Sequence, residues 1–433
     1  MRGFVLQNMQ KRILVVSRHF WPEPTRIYDL CEKLVSSGFR VDVLCGQPSG
    51  EDGEFMKGYN SFKVRRETHK KINIYRTIDV KQGSSSHIRM FLNYIIFPLM
   101  SIRVTRKLEE NKYDAVLVYQ RSPVMMCGPG LSVAKKRNIP VYIYVADLWP
   151  ESVFLDLDVQ SNLFRKFLYR LSMYYYRSAS KLIVTSTQMR RYFAEYLGMM
   201  DRELPIVTDF PDLYYEQDSV DETLLEKLAG CFNLMILGDF QEQLSVETVI
   251  KTAEMIRSSG ANNIRFVVMG TGEKISQLKN RVHQQLLDDQ FYFEGRIPSG
   301  QIGNYLHVAD IITVFVKPEK VSEYTMPHEI INYLAAAKPM AVSLSGMVRE
   351  LIRGAGCGYT TEPEDAAGMY SAVMKLYRMS EAERRQMGLK ALECQQTYFS
   401  REISAEKIAG ILNGEEMQGT EPDTSSIHRI ENM

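Results

Sequence analysis

The sequence predicts an α/β protein with two doubly wound parallel sheets, one in each of two domains. Continuous apolar runs of strand length alternate with amphipathic helical segments, which is typical of parallel sheets covered on both faces. The pattern begins at RILVVS (12–17) and starts again at NLMILG (233–238). A chain of 433 residues is long enough for two cores. The polar, proline-bearing stretch TDFPDLYYEQD (208–218) lies between the two halves and is the predicted hinge.

In the first half, a helix is predicted from about Thr25. Its apolar residues recur at i, i+3, i+4 and i+7, so they share one helical face. These residues are Ile27, Leu30, Cys31 and Leu34. Gly38 ends this helix. Further strands are predicted at VDVLCG (41–46), YDAVLVY (113–119), VYIYVAD (141–147) and KLIVTS (181–186).

The second half repeats this alternation. One helix has its apolar stripe at Val246, Val249, Ile250, Ala253 and Ile256. Strands are predicted at IRFVVMG (264–270), FYFEG (291–295), DIITVFV (310–316) and PMAVSL (339–344). The polar end of the chain has no apolar period, which predicts a disordered tail.

Composition and charge exclude several classes of protein. A net charge of +1 argues against a nucleic-acid binder, which would carry a concentrated basic excess. Six scattered cysteines without a CxxC pair indicate reduced thiols in a cytosolic protein. The N-terminus lacks the features of a signal peptide, and no apolar run is long enough to span a bilayer.

Both tryptophans of the chain open the triplet Trp-Pro-Glu, and each triplet follows a predicted strand. One lies in HFWPEP (19–24) and the other in VADLWPES (145–152). Because ligands bind beyond the carboxyl ends of parallel strands, both loops are predicted to line one rim. Carboxylates and indole faces there suit a sugar; the alternative is that both loops only pack onto the domain. The candidates are His19, Trp21, Glu23, Arg26, Asp147, Trp149 and Glu151.

The second half carries the stronger signals for a phosphorylated ligand. Glycine follows a strand at ILGDFQ (236–241) and at VMGTGE (268–273), where backbone N–H groups can approach a phosphate or ribose. Pro327 precedes a helix whose first turn would offer unpaired N–H donors to a diphosphate. An ordinary amphipathic helix with proline at its start is the alternative. The candidates are Gly238, Asp239, Gly270, Gly272, Pro327, His328, Glu329 and Asn332, with Asn332 reaching a ribose hydroxyl.

No metal site is expected. The triplet DLD (156–158) formally matches an Asp-x-Asp metal pair, but it lies in an apolar run and not directly after a strand. The seven histidines do not cluster at the spacing of metal ligands.

Two segments mix apolar and basic residues. They are SHIRMFLNYIIFPLMSIRVTRKL (86–108) and FRKFLYRLSMYYYRSASK (164–181). Such helices suit an anionic membrane surface, and the alternative is a core helix with a solvated basic face.

The chain resembles family 4 glycosyltransferases of bacterial surface-polysaccharide clusters, of the capsule, O-antigen, exopolysaccharide and colanic-acid type that includes L-fucosamine transferases. The resemblance covers roughly residues 11–412 and is strongest in the first half. It rests on these stretches in order: SRHFWPEPTRIYDLCEKLVSSGFRVDVLCGQPSG, GYNSFKVRRE, NYIIFPL, VADLWPES, VTSTQM, GTGE, EGRIP and MPHEIINYLAAAKPMAVSLSG.

The resemblance implies a GT-B fold, in which two Rossmann-like domains face each other across a cleft. A nucleotide-sugar donor would bind the second domain (213–399), and a polyprenyl-diphosphate-linked or saccharide acceptor the first (1–212, completed by a helix near 400–413). The tail would be 414–433. It also implies a retaining, metal-independent enzyme without a cofactor, at the inner face of the plasma membrane. Asp147 would position the acceptor hydroxyl.

The departures from the family pattern concentrate on the donor side. Pro327-His328-Glu329 stands where Pro-Ser-Lys is usual, and Ala337 replaces a glycine. Gln241 and Glu242 stand where a basic residue is usual, and Tyr324 and Asn332 replace two glutamates. Two interpretations stay open. Either the enzyme neutralises the diphosphate with other cations such as Arg296, Lys317 or Lys320, or it is a catalytically impaired relative that acts as a binding or scaffolding partner.

Overall fold

The structure is a computed structural model. It describes residues 10–50, 53–60, 65–80, 87–105, 108, 112–156, 161–212, 221–238, 243–318 and 324–415, with backbone only at 87–94 and 155–156. Of the predicted tail at 414–433, residues from 416 onward lie outside the described part of the chain.

The contacts divide the chain into two compact units. The first runs to Thr208 and takes in the helix that begins at Arg401, and the second runs from Asp209 to Ser400. The division falls after Thr208, earlier than the predicted boundary at residue 212.

The first unit is built on a seven-stranded sheet with the order β3-β4-β2-β1-β5-β6-β7. All neighbouring strands pair in parallel except β3, which pairs with β4 in antiparallel register. The strands are β1 (Arg12–Val16), β2 (Arg40–Cys45), β3 (Arg65–His69), β4 (Ile72–Arg76), β5 (Ala115–Gln120), β6 (Val141–Val145) and β7 (Lys181–Ile183).

Helices cover both faces of this sheet. They are α1 (Arg26–Ser36), α2 (His87–Thr105), α3 (Gly128–Arg137), α4 (Glu151–Asp156), α5 (Asn162–Arg177), α6 (Thr187–Arg191) and α15 (Arg401–Asn413). Right-handed crossovers place α1 on one face and α2, α3 and α5 on the other. The contacts agree, because α2 packs on α3, and both α2 and α5 contact the short turn Val124–Cys127.

The last described helix, α15, packs on α1. Ser404 Oγ donates to the carbonyl of Thr208 at 2.8 Å, and Lys33 Nζ lies 2.6 Å from Glu402 Oε1. Arg401 approaches Asp29 at 4.0 Å. The first unit is thus built from both ends of the described chain.

The second unit holds a six-stranded, all-parallel sheet with the order β10-β9-β8-β11-β12-β13. The strands are β8 (Phe232–Leu237), β9 (Ile264–Met269), β10 (Phe291–Gly295), β11 (Ile311–Phe315), β12 (Met340–Ser343) and β13 (Gly358–Thr361). The helices are α7 (Glu222–Leu228), α8 (Val246–Ser258), α9 (Glu273–Gln284), α10 (Ile302–Val308), α11 (His328–Ala335), α12 (Met347–Ala355), α13 (Ala366–Arg378) and α14 (Glu381–Tyr398).

Two apolar clusters lie on the two faces of this sheet. One joins residues of α7, α10, α11, α12 and α14 to alternate residues of the strands. The other joins α8, α9 and α13 to the remaining strand residues. Because side chains alternate between the faces of a strand, near-continuous apolar strands supply both clusters at once.

The predicted fold class is confirmed, as both halves are mixed α/β units with largely parallel sheets. The predicted strands are all present, and the predicted apolar faces of α1 and α8 are buried apart from the partly buried Val246. The prediction missed β3, β4 and β13. The strand β3 reads RRETH and β13 reads GYTT, so neither has the continuous apolar character used to find the others.

Ala337 explains why glycine is usual at its position. It follows α11 with φ at 53°, in the left-handed region that a side chain disfavours. We expect Ala337→Gly to stabilise the protein by about 0.5–1 kcal/mol, because relief of the left-handed penalty exceeds the entropic cost of glycine. Thermal unfolding would show the midpoint rise. An unchanged or lower midpoint would contradict the strain at this residue.

Candidate functional site

In the first unit, the carboxyl ends of β1, β5 and β6 are adjacent at one edge of the sheet, and both Trp-Pro-Glu triplets follow strands there. The peptide bonds Trp21–Pro22 and Trp149–Pro150 are both cis. The chain leaves β1 towards β2 on one side, while β5 pairs with β1 on the other side. This makes the β1–β5 gap a topological switch point, where ligands of such sheets bind.

The indole of Trp149 is buried in the first unit. It is 1% exposed, and the Trp149 carbonyl accepts a hydrogen bond from Tyr176 Oη at 3.0 Å. The loop of Trp149 packs onto the domain, which favours the structural alternative; contact of Trp149 with an acceptor stays a prediction. Burial of such a large aromatic side chain in the core is more favourable in free energy than its exposure at the rim.

Glu151 links three elements of the first unit. Its Oε1 accepts hydrogen bonds from Tyr169 on α5 and from Tyr192, the latter at 2.5 Å. Burial, and then the bond to Glu151, raises the pKa of Tyr169 to about 12 and raises that of Tyr192 further. Both phenols therefore stay protonated as donors at neutral pH. Glu151 has this structural role, and its contact with an acceptor stays a prediction.

Asp147 lies just beyond the end of β6, at the predicted rim, and is half-buried. Its Oδ2 accepts a hydrogen bond from Ser152 Oγ at 2.9 Å. The backbone before it is fixed, since the N–H of Ala146 donates to the carbonyl of Gln120 at 2.9 Å. Asp147 thus presents a carboxylate of defined orientation at a strand end. A group that positions an acceptor hydroxyl must itself be held in a defined orientation.

Glu23 pairs with His19 and with the backbone of a neighbouring loop. Its Oε1 accepts from the N–H of Ser49 at 2.6 Å, and its Oε2 lies 2.8 Å from His19 Nδ1. Glu23 is buried, and its direct contact with an acceptor stays a prediction. Its physical role is to orient the imidazole of His19, whose side chain is 28% exposed.

Trp21 differs from Trp149 in being only half-buried. Its indole stacks on the imidazole of His69 with ring centroids 4.0 Å apart. Its carbonyl accepts from the guanidinium of the fully buried Arg76, which also donates to the carbonyl of Gly46 at 3.1 Å. The structure places Arg26 at the first position of α1, half-buried. The acceptor roles of Trp21 and Arg26 stay predictions.

A buried ion pair at this edge was missed by the sequence reasoning. Arg18 follows β1, and its Nη2 lies 3.6 Å from Asp79 Oδ1. Burial raises the pKa of Asp79, and the charge of Arg18 opposes that rise. The signal in the sequence was an arginine directly after the apolar strand RILVVS. Such a residue at a strand end is a candidate for holding a charged group of the acceptor.

In the second unit, glycines end two adjacent strands at the switch point between β8 and β11. Gly238 follows β8 and Gly270 follows β9. A Cβ on Gly270 would lie 1.7 Å from the carbonyl oxygen of Gly238, and the φ of Gly270 is 131°. Gly272, with φ 121°, precedes α9. These glycines allow two backbone segments to approach each other closely, because they carry no Cβ. Their contacts with a ligand stay predictions.

Two basic residues reach the same edge of this sheet. Arg296 follows β10 directly and is exposed, and Lys317 follows β11 and is half-buried. With Gly238 and Gly270, they mark the carboxyl ends of four neighbouring strands. The sheet topology therefore brings together cations and permissive backbone from distant parts of the sequence.

The helix α11 begins where the sequence predicted, with Pro327 before its first residue, His328. The N-cap residue Pro327 makes no side-chain capping hydrogen bond. Tyr333 Oη donates to the carbonyl of Leu237 at 2.6 Å, which ties α11 to the end of β8. Glu329 is exposed, so solvent screens its charge from the helix start. The dipole of α11 favours an anion at this end, and the exposed Glu329 opposes it less than the sequence alone suggested.

Asn332 anchors the segment that enters the second unit. Its Oδ1 accepts from the N–H of Asp212 at 2.9 Å, and its Nδ2 donates to Asp212 Oδ2 at 3.0 Å. The same Asp212 oxygen lies 3.5 Å from His328 Nε2. Asn332 is buried, and its contact with a ribose hydroxyl stays a prediction. Its amide is used by the backbone and carboxylate of Asp212.

We expect Asn332→Asp to destabilise the second unit by about 2 kcal/mol at pH 7, because it replaces a buried hydrogen bond with two facing carboxylates. The repulsion raises the pKa of the carboxylate pair in the folded state, so the loss should shrink as the pH falls and one of them is protonated. Denaturant unfolding of variant and wild type at pH 7 and pH 5 measures both. A loss that does not depend on pH would contradict this arrangement.

Some predicted residues lie outside the part of the chain that the structure describes. These are Asp239, Gln241, Glu242 and Lys320. Residue 158 of the DLD triplet is among them too. Among the described residues, no group of three or more His, Cys, Asp or Glu side chains is placed to hold a metal ion.

Family models match both halves of the chain. Residues 24–207 match the model described as Glycosyltransferase Family 4, and residues 232–392 match Glycosyl transferases group 1. Both halves of the chain are therefore similar to glycosyltransferases, and the first half matches the model of family 4. The chain is a transferase enzyme with the GT-B fold.

Solved structures of the same fold cover nearly the whole glycosyltransferase chain. Sucrose-phosphate synthase from Thermosynechococcus elongatus is 16% identical with a TM-score of 0.69, over 94% of this chain and 99% of its own. Anabaena HepE, solved with UDP and glucose, is 12% identical with a TM-score of 0.66, over 93% and 100%. An E. coli trehalose-6-phosphate protein bound to UDP-2-fluoro glucose is 12% identical with a TM-score of 0.65, over 93% and 99%. No curated protein sequence matches significantly.

Proposed function

We propose that this glycosyltransferase moves a sugar from a nucleotide-sugar donor to a lipid-linked or saccharide acceptor, in the synthesis of a bacterial surface polysaccharide. The observation that carries the proposal is the edge of the second sheet. There the ends of four adjacent strands meet Arg296, Lys317 and close-packed glycines, and α11 is tied to the end of β8. The pathway itself rests on the sequence resemblance.

On the donor side, the diphosphate would meet the N-terminal N–H groups of α11, with His328 as the first side chain. The dipole of the helix favours an anion at this end. Arg296 and Lys317 supply positive charge, and the departing nucleoside diphosphate gains negative charge as the sugar bond breaks. Charge held in this way requires no divalent ion, so transfer is proposed to be independent of metal and cofactor.

On the acceptor side, Asp147 would orient the attacking hydroxyl. His19 is a second polar group at the same sheet edge, oriented by Glu23. Arg18, whose Nη2 lies 3.6 Å from Asp79 Oδ1, is a positively charged group at the same sheet edge and would favour a negatively charged group such as the diphosphate of a polyprenyl carrier. We propose retention of the anomeric configuration, which the family resemblance supports.

UDP-sugars are the first donors to test, because the HepE and trehalose-6-phosphate structures contain UDP or a UDP-sugar. The purified protein would be titrated with UDP, GDP and their sugars, with and without EDTA, while its thermal unfolding is followed. A donor that binds the folded state raises the midpoint by mass action. We expect a shift for one nucleotide family that EDTA does not remove; the absence of a shift with every nucleotide would overturn the proposal.

The alternative is a catalytically impaired relative that acts as a binding partner in the same pathway. Two departures from the family pattern favour it. Glu329 stands where a lysine is usual, and Gln241 and Glu242 stand where a basic residue is usual. Nucleotide binding without turnover would support it.

The proposed place of action is the cytoplasmic side of the plasma membrane, where a polyprenyl-linked acceptor is available. Among the described helices, none is long and apolar enough to cross a membrane. Contact with the bilayer would therefore be made by surface residues of the described part of the chain or by residues beyond it.

A further inference from the structure

The outward face of α5 carries an apolar stripe that the fold does not use. Leu163, Phe167 and Tyr174 are 81%, 56% and 66% exposed. They recur at i, i+4 and i+11, so they project from one side of the helix. Phe164, also exposed, stacks beside Phe167 with ring centroids 6.3 Å apart. Exposed large apolar residues grouped in this way mark an interaction surface.

Basic residues are interleaved with this stripe. Lys166, Arg170 and Arg177 are exposed, and Arg170 falls between Phe167 and Tyr174 on the same side of the helix. From Asn162 to Arg177 the sequence contains no Asp or Glu. The outward face of α5 therefore combines apolar area with positive charge only.

The opposite side of α5 is what holds the helix in the fold. Leu168, Ser172 and Tyr176 are buried. Tyr176 Oη donates to the carbonyl of Trp149, and Ser161 caps the start of the helix. The outward side chains do not contribute to the packing of α5, so they can be changed without disturbing it.

A second helix in the same layer repeats the character of α5. On α2, Ile95 and Leu99 are exposed, and the exposed Arg103 follows at the next i+4 position. Right-handed crossovers put α2 and α5 on the same face of the first sheet. The exposed apolar surface therefore belongs to one layer of the first unit and is not confined to a single helix.

We propose that the outward face of α5 docks on an anionic phospholipid bilayer. Its aromatic and aliphatic side chains would enter the interfacial region, while the lysine and arginine side chains extend to lipid phosphates. A protein partner fits less well, because this face carries positive charge only and includes the exposed Lys166, and lysine is depleted in protein interfaces. The proposal deepens the proposed function, on which its purpose rests, by placing the first unit where a lipid-linked acceptor is found.

The test is co-sedimentation of the full chain with vesicles of phosphatidylglycerol and phosphatidylcholine, and with vesicles of phosphatidylcholine alone. We expect binding to the anionic vesicles only, weakened by high salt. The double variant Lys166→Ser/Arg170→Ser should bind about 30-fold more weakly, since each basic residue at an anionic surface contributes about fivefold. The variant Leu163→Ser/Phe167→Ser should lose binding as well, whereas the matched control Leu286→Ser/Leu389→Ser, at exposed apolar sites of the second unit, should not.

Failure of the wild type to bind anionic vesicles, or binding that both α5 variants retain, would overturn the proposal. Self-association that the same variants abolish, with no vesicle binding, would assign the face to a second copy of the chain and also overturn it. The nucleotide titration is run on the same variants. An intact nucleotide shift without vesicle binding removes only this inference, whereas vesicle binding without any nucleotide shift removes the proposed function.

Discussion

Replacing Asp147 by Ala is expected to lower sugar transfer by at least about 100-fold while leaving donor binding unchanged. Asp147 lies at the end of β6 in the first unit, and the candidate donor groups belong to the second. Loss of its carboxylate therefore removes the group that orients the acceptor hydroxyl. It leaves the predicted contacts of the nucleotide unchanged. Transfer is measured as released nucleoside diphosphate, and binding as the shift of the unfolding midpoint.

Two further variants separate the charge of Asp147 from its position. Asp147→Asn retains an acceptor for the hydrogen bond from Ser152 but removes the charge, so its activity should also be low. Ser152→Ala keeps the charge and frees its orientation, and a smaller loss of activity is expected. Normal turnover in Asp147→Ala would contradict the assignment of this residue.

Gly270→Ala is expected to destabilise the protein by at least about 3 kcal/mol. The added Cβ would lie 1.7 Å from the carbonyl oxygen of Gly238, which is backbone and cannot rotate away. The positive φ of Gly270 adds a second penalty. The ends of β8 and β9 would have to separate at the proposed donor edge. Denaturant unfolding measures the loss, and nucleotide binding should fall with it.

The matched control is Gly260→Ala. Gly260 also has a positive φ, at 80°, but a Cβ there meets nothing within 4 Å. Its substitution should cost only the conformational penalty of about 1–2 kcal/mol. Equal losses at Gly260 and Gly270 would show that the close approach to Gly238 has no energetic importance.

The sequence was sufficient for most of the fold, because apolar periodicity reports burial on both faces of a sheet. It failed for β3, which lies at the sheet edge. In RRETH the polar side chains face solvent or pair locally, as Glu67 does with Arg76. An edge strand needs no continuous apolar run, so periodicity carries little signal for it.

The candidate sites were predictable as strand ends but not as individual contacts. Trp21 and Trp149 share a triplet and a cis peptide bond, yet one indole is half-buried and the other is inside the core. Glu23 is engaged by the N–H of Ser49, a partner on another loop. Local sequence shows which polar residues reach an edge, whereas pairing between distant loops decides which of them remain for a ligand.

Asn332 shows the same limit on the donor side. Its helical position pointed to a ribose, but its amide pairs with Asp212, which is distant in sequence. That pair also brings a carboxylate to 3.5 Å from His328. Contacts of this kind between distant segments are not visible in the local sequence pattern.

The most direct test of the account is mass spectrometry of the products formed from a panel of nucleotide sugars, with polyprenyl-diphosphate-linked acceptor in anionic membranes. We expect one donor to add a single sugar to the acceptor and to release its nucleoside diphosphate in the presence of EDTA. With the Asp147→Ala variant we expect neither the sugar transfer nor the release. A donor that binds and shifts the unfolding midpoint, but yields no glycosylated product with any acceptor offered, would contradict an active transferase and support the binding partner.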